Sequence, residues 1–370
     1  MLWAPSRRTP SCATSARTSV DVAAASGRPQ TAGVQIYRLG DEGPEILDIQ
    51  QRLTELGFVL PNGDRGAYDE GTREAVRAFQ SQRSLRTDGI VGPDTWGQLV
   101  EAGFRLGDRT LYLHAPLLRG DDVRALQRKL DALGFDPGKQ DGVYGPATDA
   151  ALREFQRNVG DEVDGVLGLH TIATLERMRP LDDVPGRGIV RETEELRSIR
   201  GRLGGHVIAI DPGTQLETRE PGACLALAQA VADELARLGA TPEILREDAV
   251  APNPSSRAAM ANTLEAAACV SLHLDEGATE TSGPTCSYFG SRATHSPAGR
   301  HLAELILDEL EHELRVRGRL QRLTVSMLRE TRMPAVQVDS VTDATRPGPS
   351  EDAARRGRAI AEGVRRFFED

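Results

Sequence analysis

The chain has 370 residues, 39% of them hydrophobic and 27% charged, with a net charge of −10. That is chain enough for two or three domains with cores of their own, at the composition of an ordinary globular protein. The acidic balance argues against a nucleic-acid binder, which needs clustered Lys and Arg, and no apolar run reaches the roughly eighteen residues of a membrane span.

In chain order, residues 1–35 carry arginines and small residues but lack the apolar run of a secretory signal, so they are read as a disordered leader. The matching expectation is a cytoplasmic chain, with cell-wall association as the alternative. Cys12, Cys224, Cys269 and Cys286 show no CxxC spacing, and Cys224 and Cys269 sit in apolar runs. Reduced, buried thiols are expected.

An internal repeat follows, over residues 36–104 and 105–179. GPEILDIQQRLTELGF (Gly43–Phe58) matches GDDVRALQRKLDALGF (Gly120–Phe135). YDEGTREAVRAFQ (Tyr68–Gln80) matches YGPATDAALREFQ (Tyr144–Gln156), and DGIVGPDTWGQL (Asp88–Leu99) matches DGVLGLHTIATL (Asp164–Leu175). Ile46, Ile49, Leu53 and Leu56 recur at helical spacing, as do Val123, Leu126, Leu130 and Leu133. Gly57 and Gly134 stand where a left-handed residue ends those helices. Thr72 and Thr148 are expected to cap the second helix of each copy, and Thr95 and Thr171 to open the third. Each copy therefore reads as a small all-α three-helix module.

These residues resemble the helical peptidoglycan-binding module that accompanies bacterial wall hydrolases. The resemblance implies a binder of glycan or stem peptide with no chemistry of its own. Tyr68, Trp96 and Tyr144 are candidate sugar-stacking surfaces, with packing as the competing reading of each.

Residues 180–203 are polar and punctuated by Pro and Gly, a linker with a short helix expected at Glu192–Ile199. From residue 204 to 370 the texture changes. HVIAID, TPEILR, ACVSLHL, TCSYFG and PAVQVD suit buried strands, and helical stretches lie between them at Gly222–Leu238, Ser255–Ala267, Pro297–Arg315 and Ser350–Phe368. The alternation predicts an α/β domain with a mostly parallel sheet covered on both faces. Asp211, His273 and Asp339 fall at carboxyl ends of strands, where such sheets bind ligands.

This second half resembles the zinc-dependent N-acetylmuramoyl-L-alanine amidases, with their phosphorylase-like α/β fold. In that family a strand ends in Asp-Pro-Gly-His, whose His binds zinc. A Glu opening the next helix and a His in a Ser-Ile-His-Ala-Asn motif complete the metal site, and a catalytic Glu follows Met-Pro-Ala-Val-Leu-Val. Here DPGT puts Thr214 at the first ligand position, Glu220 stands at the second, and His273 in VSLHLDEG at the third. MPAVQVD places Asp339 where the catalytic Glu belongs. Zinc wants three protein ligands and an open position, and Asp is one methylene shorter than Glu. The resemblance thus implies a degraded site, with zinc weak or absent and hydrolysis impaired. His206, Asp275 and His295 are weighed as replacement ligands and disfavoured.

The leading expectation is a binder of peptidoglycan fragments or lipid-linked precursors that regulates wall synthesis. Actinobacterial regulators of the same layout resemble the chain at Arg105–Tyr112 and Thr331–Asp339. Through them the resemblance implies the enolpyruvyl transferase of the first committed step as a partner. The alternatives are an active zinc amidase with a rearranged site, and a wall anchor whose α/β domain is a scaffold.

Overall fold

The computed structural model describes residues 36–60, 65–178, 187–199, 201–213, 222–246, 252–275, 283–291, 294–341 and 349–369. Each repeat folds as three helices: α1 (Pro44–Glu55), α2 (Glu70–Gln82) and α3 (Pro93–Glu101), then α4 (Asp121–Ala132), α5 (Pro146–Val159) and α6 (Leu169–Arg177). Two isolated bridges tie each module at equivalent places, Tyr37–Val91 and Glu42–Ala67 in the first, Leu111–Leu167 and Arg119–Val143 in the second.

The repeated glutamines explain why both modules close in the same way. Gln50 Nε2 donates to Thr72 Oγ1 at 2.9 Å while its Oε1 accepts from the Gly66 amide. Gln127 does the same with Thr148 and Gly142. Gln80 and Gln156 likewise satisfy the Asp-Gly turns that follow them. The amides stand in for missing backbone partners in loops that carry no ladder. Thr72 and Thr148 are therefore buried network members rather than caps. The α2 cap is Asp69, which accepts from the Thr72 amide, and α5 begins at Gly145-Pro146. Thr95 and Thr171 also lie inside their helices, which open at Gly92-Pro93 and Gly168-Leu169. Gly57 and Gly134 do take the left-handed conformation, at φ 87 and 88.

Helix α7 (Arg187–Ile199) begins earlier than the sequence suggests. It is held to the second module by Arg191–Asp136 and packs on α10 (Pro297–Leu314). The α/β domain is one six-stranded sheet in the order β2-β1-β3-β6-β4-β5. Strands β1 (Val207–Pro212), β2 (Thr241–Ile244), β3 (Ala268–Asp275) and β6 (Ala335–Val341) are parallel. Strand β4 (Thr285–Phe289) runs antiparallel to β6 and parallel to β5 (Arg319–Leu323). Sequence reading passes over β5 because RLQRL is half exposed at the sheet edge and shows no apolar run.

Ile208, Ile210, Val270, Leu272, Val336 and Val338 turn to one face, the core beneath α8 (Ala223–Arg237), α10 and α12 (Pro349–Glu369). The opposite face supplies Ala209, Cys269 and Ala335 to a second cluster with α9 (Pro254–Thr263) and the short α11 (Ser326–Glu330). That cluster continues into the core of the first module, so this module is seated on the face that carries the polar strand ends.

Candidate active site

Side chains two apart on a strand share a face, which places Asp211, Ser271, His273, Gln337 and Asp339 together. The register sets Asp211 beside Ser271 and His273 beside Asp339. The three strand-end residues expected to share a pocket are thus brought together.

At the floor, Asp211 is 0% exposed and pairs at 2.7 Å with Arg257 of α9, itself 1% exposed. The Arg257 Nη1 also donates to the Pro252 carbonyl at 2.7 Å, satisfying a cation that burial would otherwise strand. Ser271 Oγ donates to Asp211 Oδ2 at 2.6 Å and lies 3.1 Å from His273 Nε2. A hydroxyl has one proton, and an ionised carboxylate can only accept. The serine proton therefore goes to Asp211, and His273 Nε2–H donates to the serine oxygen. Burial lowers the His273 pKa against the opposing pull of Asp339, which keeps the imidazole neutral.

The Asp-Pro-Gly turn is clamped by Arg246, which donates to the Pro212 carbonyl at 2.6 Å and to the Gly213 carbonyl at 3.0 Å. Gly213 lies flat against the imidazole, and a Cβ there would stand 2.5 Å from His273 Cε1. Only glycine permits this approach. Asp339 receives the Gln337 amide at 3.1 and 3.2 Å and, from outside the domain, the guanidinium of Arg86 in the first module.

Thr214 and Glu220 lie outside the described residues. His206 stacks on Phe368 at the opposite end of β1, with centroids 4.9 Å apart. His295 packs against Tyr288, whose strand partner is Val336 near the start of β6, away from Asp339. Two sugar-stacking candidates are corrected: Tyr68 is 1% and Tyr144 0% exposed, and their hydroxyls donate to the Gly89 and Gly165 carbonyls. Neither ring offers a face, because each fills its module's core. Trp96 is partly buried beneath Arg52, at 5.6 Å from the ring centroid.

The described residues do not fit a zinc ion. Donation from Nε2 leaves His273 Nδ1 as its acceptor nitrogen, but Asp211 is held by Arg257 and Ser271 and Asp339 faces a guanidinium, so the described side chains fall short of the three ligands zinc wants. Among the described residues no three His, Cys, Asp or Glu side chains form a metal-holding group. Arg86 and Arg257 each pair with one of the two carboxylates and Arg246 clamps the adjoining turn, a field that disfavours a divalent cation.

Sequence reading missed Arg86, Arg246, Arg257, Ser271 and Gln337. Ser271 and Gln337 carried a signal, since each precedes a named residue by two on the same strand. Arg257 is the lone charge in an otherwise small, polar helix. Arg86 stands where the second module has Glu162, a reversal visible in the aligned repeats.

Two further concavities belong to the modules. The first module has a groove of 590 Å³ lined by Leu47, Gln50, Gln51, Thr54 and Arg65. The second has a cleft of 530 Å³ between Gln127, Asp141 and Thr148 on its own side and Asn262, Glu330 and Arg332 of the α/β domain.

The family model for N-acetylmuramoyl-L-alanine amidase matches residues 204–365, and the model for the peptidoglycan binding domain matches residues 42–99 and 119–175. The N-acetylmuramoyl-L-alanine amidase CwlM of Mycobacterium tuberculosis is 35% identical over 371 residues, covering 91% of this chain and 89% of that protein. The N-acetylmuramoyl-L-alanine amidase CwlL of Bacillus licheniformis is 35% identical over 164 residues, 39% of this chain and 46% of its own length. Among solved structures, the amidase Ami1 of Mycobacterium smegmatis covers 45% of this chain and 99% of its own at 20% identity and a TM-score of 0.39.

Proposed function

Because the chain belongs to the N-acetylmuramoyl-L-alanine amidase family and carries two peptidoglycan-binding domains in tandem, we propose that it binds peptidoglycan fragments or lipid-linked precursors without cleaving them. One observation carries this reading: among the described residues, both strand-end carboxylates are engaged by the chain's own groups. Asp339 faces Arg86, and Asp211 is held by Arg257 and Ser271. Hydrolysis of an unactivated amide needs a polarised carbonyl and a base free to take a proton from water. Arg86 and the Gln337 amide already occupy the Asp339 oxygens that would have to take that proton. The module grooves lie in the volume range of small-ligand sites, which supports recognition by that half of the chain.

Metal analysis of the purified full chain, combined with an assay for stem-peptide release from muropeptides, tests the reading. Substoichiometric zinc and no release are expected. Stoichiometric zinc with hydrolysis that disappears in His273→Ala would overturn it. A regulatory role in the cytoplasm, with an enolpyruvyl transferase as partner, belongs to the same proposal and is supported by the resemblance alone. Retention of that enzyme by the immobilised full chain is the expected outcome.

A further inference from the structure

The two modules share their internal residues but diverge at the positions where the first meets the α/β domain. Leu85, Arg86, Asp94 and Glu101 stand where the second module has Asp161, Glu162, His170 and Arg177. Each of the four has a defined seat. Leu85 is buried in the cluster that contains Phe289, Leu323 and Val325. Asp94 accepts from the Ser326 amide at 2.8 Å and from its hydroxyl at 2.5 Å. Glu101 takes both arms of the buried Arg329 guanidinium, at 2.5 and 2.9 Å. Arg86 reaches over the end of β6 to Asp339.

Between these contacts the chains run backbone to backbone. The Thr324 amide donates to the Ser84 carbonyl at 2.9 Å, and its hydroxyl donates to the Arg83 carbonyl at 2.6 Å. The second module's residues in this seat would set Glu162 against Asp339 and Arg177 against Arg329. Those like-charge pairs make the seat selective for the first module.

We propose that the first module is a cis-acting plug of the amidase pocket: its loop of residues 83–86 closes the pocket mouth, and Arg86 in its seat and access of any outside ligand to Asp339 exclude one another. Leu85 and the Glu101–Arg329 pair supply the hold. Arg86, with 45% of its side chain exposed, is the group that an incoming ligand must displace. The inference concerns docking and stands whether or not the opened pocket cleaves an amide.

Two measurements on the full chain test it. Carbodiimide coupling of glycine ethyl ester to Asp339, followed by peptide mass spectrometry, reads access. Amide hydrogen exchange at Thr324 and Ser326, whose acceptors lie across the seam, reads seating. Arg86→Ala should raise Asp339 labelling by about fivefold or more. Leu85→Asp, which installs the second module's residue and keeps Arg86, should raise both labelling and exchange by about tenfold. The Leu167 amide, bonded inside the second module, should keep its rate in every variant. In Arg86→Glu, exchange should rise, and adding Asp339→Arg should return it toward the wild-type rate. Labelling in Leu85→Asp equal to wild type, or exchange in the charge swap no slower than in Arg86→Glu, would overturn the plug. A Leu85→Asp chain that loses Leu167 protection would leave Arg86→Ala to decide: unchanged labelling there overturns the proposal, and raised labelling supports it.

Discussion

The two modules are a controlled comparison supplied by the chain itself. Inside, they are nearly superposable in chemistry: Gln80 and Gln156 each donate at 2.7 Å to the aspartate of the following Asp-Gly turn, and Tyr68 and Tyr144 each donate to that turn's glycine carbonyl. Outside, they part. The first turns Leu85, Asp94 and Glu101 into the α/β domain, while the second meets it through Arg119–Glu330 and through Lys139, which donates to the Leu328, Thr331 and Met333 carbonyls. A repeat preserves what the module needs in order to fold. The few surface positions left free decide what it sits on.

The sharpest way to break this comparison is at Glu101. Replacing it with Ala leaves the buried Arg329 short of a partner, and a loss of about 3 kcal/mol is expected in urea unfolding. The same change at its counterpart Arg177, which is exposed, should stay within about 0.5 kcal/mol. Internal changes should instead act alike in the two copies. Gln80→Ala and Gln156→Ala each orphan a turn amide, and both should lose about 2 kcal/mol. Unequal losses would show that the cores are not equivalent.

A smaller contrast is pH-dependent. Burial raises the Asp141 carboxyl above its ordinary value, whereas the first module has Arg65 at that place. A folded-state pKa above the unfolded one gives stability that is present below the unfolded pKa and lost as pH rises through the folded value. Both groups bonded to the Asp141 carboxylate, the Gln127 amide and the Val143 N–H, are donors to Oδ1, and an Asn Oδ1 can accept from them. Asp141→Asn should therefore raise the urea midpoint at pH 7, with the gain fading toward pH ~4. The smallest effect is expected at Ser84, whose φ of 54 matches the 77 of its counterpart Gly160. Ser84→Gly should gain about 0.5 kcal/mol, and Gly160→Ser should lose a similar amount.

Much of the fold was legible because it rests on local periodicity. The apolar stripes of α1 and α4, the left-handed Gly57 and Gly134, and the short apolar runs of β1, β3 and β6 are all properties of neighbours in sequence. The helix openings were misread where a threonine that resembles a cap serves a glutamine network whose members lie some twenty residues apart. At the site, His273 and Asp339 were legible as strand ends, yet their partners were not. Arg257 reaches Asp211 from a separate helix, and Arg86 reaches Asp339 from a separate module.

The sequence by itself determined that two like modules precede an α/β amidase-type sheet, and it located His273 and Asp339 within that sheet. Helix stripes and strand alternation are written at short range, where backbone geometry leaves few choices. Only the tertiary structure decided that the first module, and not the second, lies on the strand ends and sets a guanidinium against Asp339. That choice depends on charges from distant segments meeting across a buried seam, and the energy of such a meeting exists only once the chain has folded.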